Sequence, residues 1–159
     1  MEPSTFDLHE SEFRRIEAIL SRVRGEVRAE LALLVSRSGQ AVAAAGAAEG
    51  VDDTALASLA TAALAASDGL ARLVGEDGFP ALAHQGVRRS VFISDLMRRY
   101  ALVLVFDAAV SAGLVRYKCK RAALLVEDVL RGRRRAGEGP AAPGGLKFSD
   151  DELEALLGE

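Results

Sequence analysis

The hydrophobic pattern is densest from Asp52 to Gly75, where DDTALASLATAALAASDGLARLVG holds only Asp68 and Arg72 as internal charges. The spacing predicts one long helix, with Asp52 or Asp53 as N-cap and an acidic first turn that suits the helix dipole. Leu56, Leu59, Leu64, Leu70, Leu73 and Val74 supply its bulk, and Ala, Ser, Thr and Gly fill nearly everything else. The leucines are expected to turn toward a sheet. Ala62, Ala65, Ala66 and Gly69 recur at one-turn spacing and form a smooth strip, suited either to the chain's own sheet or to close approach by a second chain. A helix this small and uncharged nearly all round needs cover on a second side.

Before it, Phe13, Ile16, Leu20 and Val23 give helical periodicity over Ser11–Arg24, with Arg14, Arg15, Glu17, Arg22 and Arg24 opposite and Gly25 as the expected stop. Two short apolar runs from Ala29, LALLV and QAVAAAG, flank Ser36-Arg37-Ser38-Gly39 and read as a β-hairpin. After the breaker cluster GEDGFP come three candidate strands, Ala81–Gln85, Ser90–Leu96 and Tyr100–Asp107. YALVLVFD is a near-continuous apolar run, as a central strand requires, whereas ALAHQ is short and part-polar, the mark of an edge. Ser111 should cap a last helix through Leu130, with Val115, Cys119, Ala122, Val126 and Val129 on its core stripe.

The order α-ββ-α-βββ-α is that of an α+β sandwich rather than a βαβ winding. The first and last helices are expected on one sheet face and the long helix on the other. One helix cannot cover five strands, which favours a dimer. The chain divides into an arm over residues 1–10, a domain over 11–130, a basic, Gly- and Pro-rich linker over 131–145, and a terminal segment over 146–159. That segment, KFSDDELEALLGE, carries a helix-start signature: Ser149 as N-cap, Glu152 as its capping-box partner, and Phe148 with Leu153 as a staple. Leu153, Leu156 and Leu157 then form an apolar face, a recognition motif expected to dock on a partner.

Composition narrows the chemistry. A net charge of −3 argues against general nucleic-acid binding, despite the crowding of Arg131, Arg133, Arg134 and Arg135. No apolar run approaches the length of a membrane span, and the N-terminus lacks a signal-peptide pattern, so a soluble cytoplasmic protein is expected. One Cys119 and two distant histidines, His9 and His84, give neither a disulfide nor a metal site. No phosphate-binding glycine motif, nucleophile elbow or zinc motif occurs, so no catalytic residue is assigned. Cys119 reads as a core thiol and His84 as a surface or interface residue.

The hairpin LALLVSRSGQAVAAAG, the helix DTALASLATAALAASDGLARLVGE and the passage ALVLVFDAAVSAGLVRYKCKRAA resemble the Roadblock family of dynein-light-chain-like proteins over about residues 11–130. The pairing of ASLATAALAASDGLARLVGEDGFP with the terminal FSDDELEALLGE is similar, within that family, to the bacterial MglB-type regulators of a Ras-like GTPase. The resemblance implies a five-stranded antiparallel sheet and a homodimer joined through the edge strand Ala81, Leu82, Ala83, His84 and Gln85. It implies a long-helix platform of Ala62, Ala65, Ala66, Gly69 and Arg72 for an MglA-type small GTPase, with a second contact through Phe148, Leu153, Leu156 and Leu157. GTP and Mg²⁺ would be bound by that GTPase, and this chain would need no cofactor. It further implies a role in bacterial cell polarity or motility, with concentration at a cell pole. A non-activating Roadblock scaffold is the alternative, favoured by nothing in the terminal motif.

Overall fold

The structure, a computed structural model, describes residues 8–137. Most of the expected arm and the whole terminal motif, including Phe148, Leu153, Leu156 and Leu157, lie outside the described residues.

Helix α1 spans Glu10–Glu26, two residues beyond the expected Ser11–Arg24. Its start is tied by the His9 backbone N–H, which donates to the Glu12 carboxylate at 3.3 Å. Its end is held by Glu26, which pairs with Arg22 at 3.1 Å and with Lys118 at 3.2 Å, and by Val27, buried against the core. The chain turns instead at Arg28, a non-glycine residue in the left-handed region (φ 53°). Gly25 ends the sequence pattern, but packing of the next turn overrides it.

Strands β1 (Ala29–Ser36) and β2 (Ala41–Gly46) form the expected hairpin, closed by the Gly39 N–H donating to the Ser36 carbonyl at 2.9 Å. Helix α2 runs Asp53–Val74, followed by β3 (Ala81–His84), β4 (Arg89–Leu96), β5 (Tyr100–Asp107) and helix α3 (Ala112–Gly137). The sheet order is β2-β1-β5-β4-β3, with every neighbouring pair antiparallel. β5 is buried from Ala101 to Phe106, as its unbroken apolar run requires. β3 stands at an edge.

Alternation along β1 and β5 divides the core in two. Ala32, Leu34, Leu102, Leu104 and Phe106 face α1 and α3, together with Ile16, Leu20, Val115, Cys119 and Val126. Leu31, Leu33, Val35, Val103 and Val105 face α2, where Ala57, Ala60 and Leu64 meet them. The α+β arrangement with two helices on one face and one on the other is therefore the fold observed. α3 differs from expectation at its end. It continues to Gly137, through the arginine-rich stretch read as the start of a linker. Arginine is a good helix former, and the one glycine, Gly132, costs only about 1 kcal/mol in a helix that Val126, Val129 and Leu130 anchor.

Candidate functional site

α2 positions the candidate surface. Asp52 caps it, its carboxylate accepting from the Thr54 N–H at 2.9 Å and, more weakly, the Ala55 N–H at 3.4 Å, and Gly75 closes it in the left-handed conformation (φ 79°). Between these caps the two faces differ from the expected assignment. The sheet side is built from Ala57, Ala60, Thr61, Leu64, Ser67 and Ala71, mostly small residues. Leu59, Leu70, Leu73 and Val74, expected to face the sheet, stand 69%, 59%, 83% and 67% exposed. The helix sits close to the sheet because its inner residues are small. Among its leucines, Leu64 alone is fully buried, and Leu56 packs at the margin.

The outer face is consequently greasier than a smooth alanine strip. Ala62 and Ala66 are exposed and share a ridge with Leu59, Leu70 and Leu73, at steps of three and four residues. That ridge extends for about 21 Å at 1.5 Å per residue. Ala65 and Arg72 are exposed and Gly69 is half-buried, and these three lie on one shoulder of the ridge. A side chain added at Gly69 would meet nothing nearer than the Arg72 guanidinium at 4.0 Å. Sequence reasoning missed Leu59, Leu70 and Leu73 as outward residues, yet the signal was present. They share the i, i+3, i+7 relation with Ala62 and Ala66, and Leu64 does not.

By length and apolar composition alone α2 is long enough to cross a membrane, contrary to the expectation that no stretch approaches this. Its setting is that of a helix lying on a sheet. To span a bilayer it would have to leave that sheet and carry Asp68 and Arg72 into hydrocarbon. Asp68 is instead tied down: Arg37, in the β1–β2 turn, donates to it at 3.2 Å and to Asp95 of β4 at 2.6 Å and 3.0 Å. All three side chains are at most 27% exposed. Arg37→Ala is expected to lower stability by about 1 kcal/mol, because two partly buried carboxylates would lose their shared donor. The shift in urea midpoint should shrink in high salt.

β3 lies at the sheet edge with its outer backbone groups unpaired within the described residues. Ala81 and Leu82 are half-buried, and Ala83, His84 and Gln85 are exposed. The edge borders sheet surface that α2 leaves partly covered, where Leu82 and Val91 are only half-buried.

No cluster of metal-ligating side chains occurs among the described residues. Two shallow depressions at one end of the sheet, lined by Glu30, Glu49, Arg88, Arg89 and Asp107 or by residues 85–88 and 107–109, are open and polar. Cys119 is fully buried, and that burial pushes its thiol up to about 12, against a smaller opposing contact with Ser94. The raised value means the folded state favours the neutral thiol. This contribution is complete below the unfolded value of 9.0 and is lost as pH climbs toward 12. Alkylation by iodoacetamide at pH 8 should therefore track global unfolding, and brisk labelling of the folded protein would contradict the packing.

The sequence matches the Roadblock/LC7 domain model over residues 15–106. The chain belongs to the Roadblock/LC7 family. Among solved structures it is similar to Myxococcus xanthus MglB, at 36% identity, covering 76% of this chain and 98% of that one with a TM-score of 0.72. The gliding protein MglB of Thermus thermophilus is 30% identical over 83% of this chain and 99% of its own, with a TM-score of 0.73. An MglB with a tetrameric arrangement is 31% identical over 83% and 98%, with a TM-score of 0.76. A comparison with curated proteins produced no match. The Roadblock/LC7 match ends inside β5 at residue 106, while the MglB likeness extends over most of the described chain.

Proposed function

We propose that this Roadblock/LC7 protein is a non-catalytic regulator that acts as a homodimer on a small Ras-like GTPase of the MglA type and accelerates its GTP hydrolysis. The observation that carries this reading is the outer face of α2. Leu59, Ala62, Ala66, Leu70 and Leu73 make an apolar ridge on a helix already anchored by its other side, on a fold similar to MglB. An apolar ridge of this kind suits burial by protein surface.

In the proposed dimer the β3 edges, Ala81 to Gln85, pair and bring two α2 helices side by side, so that Ala62, Ala65, Ala66, Gly69 and Arg72 form one platform. Small residues there allow a partner backbone to approach closely. GTP and Mg²⁺ belong to the GTPase. Hydrolysis needs an in-line water, the metal and charge neutralisation, all of which the GTPase can supply once held in the competent conformer. The regulator then acts by binding that conformer more tightly than others. The same likeness supports a role in cell polarity or motility, with enrichment at a pole, as part of the proposal.

Single-turnover GTP hydrolysis by the cognate GTPase, with and without saturating regulator, tests the proposal directly. Acceleration supports it. Tight binding with an unchanged rate would replace it with the scaffold reading.

A further inference from the structure

α3 carries a surface that neither the fold nor the proposed platform uses. Its exposed half is not simply polar: Leu114, Tyr117 and Leu124 are 41%, 45% and 57% exposed. With Arg121 they follow steps of three, four and three residues and so form one ridge. Lys118, on the same flank, pairs with Glu26, which places the ridge beside the α1–α3 seam.

Arg121 is the unusual member. Its guanidinium lies over the Tyr117 ring at 4.4 Å, and its Nη1 is closed off from solvent with no hydrogen-bond partner among the described residues. A shielded cation without an anion is costly, and an aromatic face satisfies it only in part. The surroundings add positive charge: over Ala112–Gly132 the helix carries Arg116, Lys118, Lys120, Arg121 and Arg131 against Glu127 and Asp128. The ridge is thus apolar, basic and lacking a carboxylate.

We propose that this flank of α3 is the docking surface for the chain's own terminal segment, residues 148–157. FSDDELEALL offers the complement: Leu153, Leu156 and Leu157 for the Leu114–Tyr117–Leu124 ridge, and Asp150, Asp151, Glu152 and Glu154 as carboxylates for Arg121 and its neighbours. The lengths also agree. From Gly137 back to Leu124 is about 20 Å along a helix, and any ten residues, the number from 138 to 147, would span roughly 17–19 Å on average as a coil and at most about 35 Å. A helix over 148–157 would then measure about 15 Å, the distance from Leu124 to Leu114. The α2 ridge is the poorer host, because Asp52, Asp53, Glu76 and Asp77 at its two ends would repel an acidic segment and it lies on the far side of the sheet. A tail seated on α3 is withheld from any partner, so a partner that engages it must first displace it.

The test needs no GTPase, so its failure leaves the proposed function standing. The full chain with Gly158→Cys takes a nitroxide at that position alone, since Cys119 is buried and un-ionised. Paramagnetic broadening should fall on the signals of Leu114, Tyr117 and Leu124, persist on dilution, and be lost in both Arg121→Glu and Leu153→Asp/Leu156→Asp. The second variant changes none of the residues that form the described core, so loss there cannot be ascribed to unfolding of that core. Broadening centred on Leu59–Leu73 instead, or none above background, would overturn the proposal. So would broadening of isotope-enriched chains mixed with unenriched labelled chains, which would place the tail on another copy.

Discussion

Ala66→Arg is expected to abolish acceleration of GTP hydrolysis while leaving folding stability within about 0.5 kcal/mol of wild type. Ala66 is exposed near the middle of the ridge that Leu59, Ala62, Leu70 and Leu73 complete. In the free protein the new guanidinium points into water, and arginine is as compatible with a helix as the residues around it. In a complex it would occupy the space a partner backbone needs and would be stripped of water against an apolar surface. Affinity should fall by at least 100-fold, about 2.7 kcal/mol or more. Titration of the GTPase, with the urea midpoint of the free variant beside it, separates the two effects. Unchanged affinity with normal folding would move the interface off α2. Gly69→Arg, on the shoulder of the ridge where space is open, should act in the same direction.

Leu64→Ala should produce the largest loss of stability on the α2 side, about 3 kcal/mol. Leu64 is fully buried among Leu31, Leu33, Val103 and the other residues of that half-core. Its companions on the sheet side of α2 are Ala57, Ala60, Thr61, Ser67 and Ala71, so no large neighbour can swing in to fill the void. Nor is the inner face all oil: the Ser67 hydroxyl is buried with no hydrogen-bond partner among the described residues, which makes the attachment of α2 more dependent on Leu64. In a domain of typical stability, about 5–15 kcal/mol, such a loss should be plain in a denaturant titration. Amide exchange should quicken in α2 more than in α1 and α3, whose core lies across the sheet. Leu59→Ala is the control. That side chain is mostly in solvent, and its removal should leave the midpoint nearly unchanged.

The contrast between Leu59 and Leu64 shows where the sequence is a sufficient guide and where it is not. Helix positions are legible because period 3.6 in α1 and α3 coincides with burial, and β1 is legible as a short apolar block buried on both faces. β5, apolar on both faces, can only be central. α2 carries two overlapping apolar stripes, one small and one large, and composition alone points to the large one as the inner. The structure places the small stripe against the sheet, since close approach of helix to strand contributes more contact than leucines held at a distance. The ends of α1 and α3 depart from expectation for a related reason: Gly25 and the arginines after Leu130 have local meanings that the adjoining packing outweighs.

The candidate site is legible in the sequence as a helix and an edge rather than as a surface. Ala62, Ala66 and Arg72 do face outward, and β3 does stand at the sheet edge. The leucines that give the ridge its grease are not recognisable as outer residues from composition. Arg37 reads only as a turn residue, and its joining of Asp68 to Asp95 depends on residues distant in sequence that meet only after the sheet has formed. Arg121 and Tyr117 likewise become notable only because one guanidinium nitrogen is enclosed without an anion among the described residues.

The sequence by itself determined the element order, the central and edge strands and the presence of a long helix with no charge on most of its surface, because these follow from periodicity and capping within a few turns of chain. Which side of that helix meets the sheet was decided only by the tertiary structure. Two apolar faces of one helix have the same local propensity, and the choice between them is made by how closely each can fit against Leu31, Leu33 and Val103.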